Sequence, residues 1–160
     1  MDDKKISNIV LENARIIFKN FAGEEKKYNP RGKRNFCVII PNNEVANALE
    51  NDGWNIKWLQ PRDEEDEPTP YIQVAVAFGS YPPNITLISS KGKKTRLDED
   101  TVSMLDTAEI TNVDVEIRPY SWEANGKTGI KAYVKNMYVT IEEDRLAAKY
   151  DNLDDDNIPF

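Results

Sequence analysis

The chain reads as a mainly β protein: a small five-stranded Greek-key barrel with one or two short helices and a disordered acidic C-terminal tail. Three observations predict this. Short runs alternate apolar and polar residues and are separated by Gly, Pro and Asn punctuation. Their order is strand, strand, helix, strand, strand, strand, which suits such a barrel. The last stretch, residues 143–160, is too acidic and too poor in apolar surface to offset the entropy of ordering, so residues 1–142 form the folded domain.

Asn8 to Asn20 is rich in Ile, Val, Leu and Phe and predicts one long first strand, with Ala14, Ile16 and Phe18 on one face and Arg15, Ile17 and Lys19 on the other. Gly23, Pro30 and Gly32 make the next stretch a loop. From Lys19 to Arg34 six bases oppose two acids. Asn35 to Ile40 predicts a strand apolar on both faces and ended by Pro41. Asn43 to Asp52 predicts a helix with Asn43 as its cap and Gly53 as its stop. Trp54, Ile56 and Trp58 then alternate with polar partners, a pattern that points to core packing rather than to exposed rings.

Arg62 to Pro70 holds five consecutive acids and two prolines and predicts an exposed loop. Carboxylates in such a run are ordinarily solvated, so no metal and no cofactor is expected there. Tyr71 to Phe78 alternates cleanly, with Ile72, Val74, Val76 and Phe78 inward. Lys91 to Arg96 carries four bases around Gly92 and predicts a second phosphate-contacting loop, without the spacing of a nucleotide-hydrolysing motif. Asp98 to Asp106 predicts a short helix burying Val102 and Leu105.

The last structured unit is a hairpin. Asn125-Gly126 is the strongest turn signal in the chain, and a two-residue loop there sets Trp122 opposite Gly129, Tyr120 opposite Lys131 and Arg118 opposite Tyr133. In that register Val113, Val115, Ile117, Ile130, Ala132 and Val134 share the core face. Arg118, Tyr120, Trp122, Lys131, Tyr133 and Lys135 share the other, as rings among cations. Bases stack on aromatic rings whatever their sequence, while phosphates need cations alongside, so this face suits unpaired nucleic acid strands. The candidate DNA-binding residues are therefore Lys19, Lys26, Lys27, Tyr28, Arg31, Lys33 and Arg34 of the first basic segment, Phe36 and Tyr71 of the neighbouring strands, Lys91, Lys93, Lys94 and Arg96, and the hairpin set just named.

Composition narrows the alternatives. The 160 residues include one cysteine, Cys37, and no histidine, which excludes an intramolecular disulfide, a thiolate–imidazole zinc site and any histidine base. Cys37 lies in an apolar run and reads as a small buried hydrophobe. There is no apolar run long enough to span a membrane and no apolar signal segment near Met1, so a cytoplasmic protein is expected. The net charge of −7 looks wrong for a DNA binder until it is divided by position: the tail from Glu143 carries −4 and Asp63 to Glu67 carries −5, which leaves +2 for everything else. An acidic DNA mimic that inhibits a nuclease or restriction enzyme would account for the total but not for the clustered cations. A metal-dependent nuclease would need carboxylates converging in one cleft.

The tail closes on Asp154-Asp155-Asp156-Asn157-Ile158-Pro159-Phe160. Pro159 disfavours helix at Ile158, so the final apolar residues stay extended, with Phe160 carrying both a ring and the terminal carboxylate: a peptide suited to capture by an apolar pocket with a basic rim. This ending resembles the acidic tip of single-stranded DNA-binding proteins, departing from its commonest form by Asn157. The body resembles a phage-encoded family of OB-fold single-stranded DNA-binding proteins through Asn35-Phe36-Cys37-Val38, Arg118-Pro119-Tyr120 and Gly129-Ile130-Lys131-Ala132-Tyr133. The resemblance implies a non-enzymatic protein of the host bacterial cytoplasm that coats single strands during replication, recombination or repair. It also implies that Asp154, Asp155, Asp156, Ile158, Pro159 and Phe160 dock replication or repair proteins such as a polymerase, helicase, recombinase or nuclease. It carries no expectation of the tetramer formed by ordinary bacterial relatives, and the oligomeric state stays open.

Overall fold

A computed structural model describes residues 6–142. The tail and the six tip residues therefore lie outside the described residues. Strands run in the order β1 (Ile9–Leu11), β2 (Ile16–Asn20), β3 (Arg34–Ile39), helix α1 (Asn43–Asp52), β4 (Ile56–Leu59), β5 (Thr69–Val76), β6 (Asn84–Ile88), β7 (Lys94–Leu97), a 3-10 turn over Val102–Asp106, β8 (Ile110–Ala124) and β9 (Lys127–Ile141). The mainly β class with one α-helix is as expected, and the sheet buries one core without a continuous ladder closing it. There are more strands than five, because β1 and β2 divide the first run and β6 and β7 form an added hairpin.

The main path through the sheet is β1-β8-β9-β5-β3-β2, with β4 beside β5 and the β6–β7 hairpin beside the second half of β9. The β5–β9 and β6–β9 pairings are parallel and the others antiparallel. The inward rows Phe36, Val38, Ile72, Val74, Val113, Val115, Ile117, Val134, Met137 and Val139 merge into one core, joined by Ala46 of α1 and by Trp54. Trp54 is buried as its alternation with Ile56 predicts, while Trp58 is half-buried at the core's edge.

Three elements differ from the sequence expectation, each for a local reason. The first run breaks into β1 and β2 because Asn13 adopts a left-handed backbone (φ 52°), its N–H donating to the Asp114 carboxylate at 2.9 Å, and the Ala14 N–H then bonds the Val113 carbonyl. The cap of α1 is Asn42, one residue earlier than expected, since its side chain accepts the Val45 N–H at 2.8 Å; Gly53, at φ 106°, ends the helix as predicted. The short helix expected over Asp98 to Asp106 is a 3-10 helix confined to Val102–Asp106, which buries Val102 and Leu105 as expected and follows a turn. Its closing Asp106 accepts the N–H groups of Phe21 and Ala22 at 2.7 and 2.9 Å, tying the start of the basic loop to the body.

Candidate nucleic-acid interface

The hairpin forms in the expected register: Trp122 pairs with Gly129, Tyr120 with Lys131 and Arg118 with Tyr133, around a turn in which Asn125 and Gly126 both have positive φ (53° and 78°). Its base is packed on the core through Ile117, Ile130, Ala132 and Val134. From Tyr120 to Thr128 the two strands project beyond the core with both faces exposed. On the outer face Tyr120 meets Tyr133 edge to face at 6.1 Å, and Arg118 lies over the Tyr133 ring at 4.8 Å with Lys131 5.2 Å from the same ring. Tyr81, from the loop after β5, reaches Arg118 at 6.0 Å. A guanidinium attracted to ring faces in this way keeps N–H donors available for phosphate oxygens. Trp122 is 41% exposed and its indole lies over Gly129, where a Cβ would come within 2.6 Å of the ring.

The hairpin face continues across the sheet. Tyr133 pairs with Ala75, and Ala75 with Asn35, so a groove opens between the loop Asn29–Lys33 and β9, with Gln73, Ala75 and Lys131 on its floor and wall. It runs on into a wider recess formed by Phe18, Lys26, Lys27, Tyr28, Lys57 and Tyr71 around Cys37 and Gln73. Ring faces and ammonium groups thus line one path from β2 to the hairpin tip. Among the described residues Lys26, Lys27, Lys33, Lys57 and Lys131 have no ion-pair partner; Lys27 lies 5.3 Å over the Tyr28 ring. Cys37 faces the recess from the floor, and burial pushes its thiol up to about 11 against the pull of the nearby Lys57 ammonium.

Phe18 is the residue that alternation misplaced. By period two it would share the inner face with Ile16, but the β2–β3 ladder slips between Ile17 and Asn20, and Phe18 sits in the bulge at φ 51°. The bulge turns the ring outward, 59% exposed, to meet Tyr71 edge to face at 5.9 Å. Holding a bulky residue in that backbone region costs on the order of 1–3 kcal/mol.

Several candidates are placed elsewhere. Phe36 is a correction: it is fully buried, stacked on Phe21 at 5.1 Å, so it belongs to the core and not to the DNA-facing surface. Its strand alternates, and Asn35 and Cys37, not Phe36, face outward. Lys19 points away from the groove and donates to the Leu105 carbonyl at 2.9 Å. Arg34 lines the groove, but its guanidinium is engaged by the protein: it donates to the Phe21 carbonyl at 2.8 Å, approaches Glu99 at 3.9 Å and lies over Phe78 at 6.0 Å, so it braces the loop. Lys135 sits where the β8–β9 register slips and is 3.9 Å from Glu116. Lys91, Lys93, Lys94 and Arg96 belong to the β6–β7 hairpin, which borders Asn136 to Thr140, a different stretch of β9 from the one holding Lys131 and Tyr133; Arg96 bonds the Asn84 side chain. Arg31 is exposed at the loop tip. Phe18, Lys57, Gln73 and Tyr81 join the candidate interface by position, and sequence reasoning missed them.

Past the register slip the outer face becomes acidic. Glu116 accepts hydrogen bonds from Asn8 and Asn136, which hold its carboxyl below the usual range, and Asp114 lies beside it. The cationic path therefore has a boundary.

A family model described as a putative phage ssDNA-binding domain matches residues 1–159. Among solved structures, the single-stranded DNA-binding protein from bacteriophage Enc34 in complex with ssDNA is similar at a TM-score of 0.51 and 13% identity, covering 86% of this chain and 88% of that one. A second structure of the Enc34 single-stranded DNA-binding protein gives 0.50 at 14% identity, covering 86% and 82%. At such identities the likeness establishes the shared fold. No curated protein sequence matches the chain significantly.

Proposed function

The chain belongs to the family of putative phage ssDNA-binding domains, and from that membership we propose that it coats single-stranded DNA independently of sequence during phage replication, recombination or repair. The observation that carries this is the outer path lined by rings and by lysines that have no ion-pair partner among the described residues. Bases unstacked from a duplex present both faces to such rings at a gain of roughly 1–3 kcal/mol each, and the phosphates between them meet the ammonium groups. A duplex hides its base faces and gains only the electrostatic part. The protein performs no chemistry on the strand. Residues 143–160 form a separate functional unit whose tip, Asp154 to Asp156 with Ile158, Pro159 and Phe160, recruits replication or repair proteins in the host cytoplasm.

The test is a tryptophan fluorescence titration with oligo(dT) and with duplex of equal length at two salt concentrations. Quenching by the single strand, weakened by salt, is expected, with duplex binding much weaker. An absence of single-strand binding refutes the coating function. In parallel, removing Phe160 alone should abolish co-purification of partner proteins and leave oligo(dT) affinity within about twofold; loss of DNA binding instead would refute the assignment of the tip to protein docking.

A further inference from the structure

We propose that the recess framed by Phe18, Tyr71 and Tyr28 is a second nucleobase station, separate from the hairpin rings, so that one strand is gripped at both ends of the groove. The proposal rests on the single-stranded DNA function above and deepens it. The fold holds Phe18 in a left-handed bulge that turns an apolar ring into solvent, where its edge-to-face contact with Tyr71 replaces the fuller burial that β2 would give the ring if it kept its alternation. The edge-to-face geometry with Tyr71, rings inclined by 68°, leaves a ring face uncovered for a base.

The surroundings fit one occupant. Lys26, Lys27 and Lys57 rim the recess, no carboxylate lines it, and the Gln73 amide on its floor makes no hydrogen bond among the described residues. Cations at the rim, a ring face at the wall and a free amide donor and acceptor below are the complements of phosphate, base face and base edge respectively. An apolar peptide would leave the amide and three ammonium groups unmatched. The recess shares Asn29, Asn35 and Gln73 with the groove leading to Lys131, so a strand seated at Tyr120 and Trp122 can continue into it without leaving the surface.

The experiment uses the full chain and an oligo(dT) of about 12 nucleotides, within the site sizes such domains cover. Phe18→Asn removes the ring while tolerating the left-handed backbone, and Phe18→Tyr restores a ring. The expected result is a roughly tenfold weaker Kd for Phe18→Asn, near-native affinity for Phe18→Tyr, unchanged tryptophan quenching at saturation and, since Asn relieves the left-handed strain, a melting temperature no lower than the parent's. Combining Phe18→Asn with Tyr120→Ala should multiply the two losses, as separate stations require. Affinity of Phe18→Asn equal to the parent overturns the second station, and a double variant no weaker than the worse single variant overturns its separateness. Parent protein that binds no oligo(dT) overturns the coating function itself, a distinct result.

Discussion

Replacing Gly129 with alanine tests whether the Trp122 indole is a base platform. A Cβ on Gly129 would stand 2.6, 2.8 and 3.0 Å from Cζ2, Cε2 and Nε1 of that indole, closer than van der Waals contact allows. One of the two must move, and the ring is the cheaper: it hangs from two rotatable bonds on a projecting arm and is already 41% exposed. Gly129 is not in the left-handed region, so alanine fits the backbone, and its narrower unfolded ensemble contributes about 0.4–1 kcal/mol. Stability should thus change by less than about 1 kcal/mol in either direction. Binding should change more, because a displaced ring forfeits a stack worth about 1–3 kcal/mol, which is roughly 5- to 150-fold in Kd. Oligo(dT) titration by anisotropy, with thermal melts alongside, reads both quantities, and a shift in tryptophan emission reports the ring's movement. A shifted emission with unchanged affinity refutes the role assigned to Trp122.

Burial leads to two further outcomes. Phe36→Ala should lower unfolding free energy by about 3–5 kcal/mol, the cost of emptying a buried aromatic site, while the fraction that remains folded binds oligo(dT) within about twofold of the parent; reduced affinity at unchanged stability would place the ring on the DNA path after all. For Cys37 the folded thiol ionises at about 11 against an ordinary 9.0, so between those values the unfolded chain loses its proton first and stability falls as pH rises. Denaturant midpoints of the parent and Cys37→Ala should therefore converge or cross toward alanine on going from pH 8 to pH 10; a gap that widens in the parent's favour contradicts a protonated, desolvated thiol.

The fold was legible where side-chain period and turn chemistry agreed. The β8–β9 pairing followed from Asn125-Gly126 alone, because two residues able to adopt positive φ fix a two-residue loop and the loop fixes every partner up to Ile117. Beyond that point the register slips at Glu116, and no residue type announces it, so the approach of Lys135 to Glu116 at 3.9 Å was not foreseen. The β6–β7 hairpin was half legible: its cations were visible as a cluster, but which stretch of β9 they border is set by a parallel pairing between segments roughly fifty residues apart. Local pattern carries no information about such non-local pairings.

The groove was harder to foresee than the fold because its most informative residue breaks the rule used to find faces. Alternation puts Phe18 on the face of Ala14 and Ile16, and a strand apolar on both faces left the side of Phe36 unassigned, so the DNA-binding expectation placed that ring outward. The two errors have one origin: an aromatic ring in an apolar strand reads the same whether it is packed or offered to a ligand, and backbone geometry separates the cases. Phe36 stacks on Phe21 because its strand keeps period two; Phe18 escapes because a one-residue bulge, at φ 51°, reverses its side. A phenylalanine in a left-handed bulge is costly and is retained only where the surrounding ladder over-determines it, here β3 holding Ile17 and Asn20 on either side. That cost falls on the one ring of β2, and a base stacked at the proposed second station is what would offset it, so the bulge, rather than the count of lysines, is the feature on which that proposal stands.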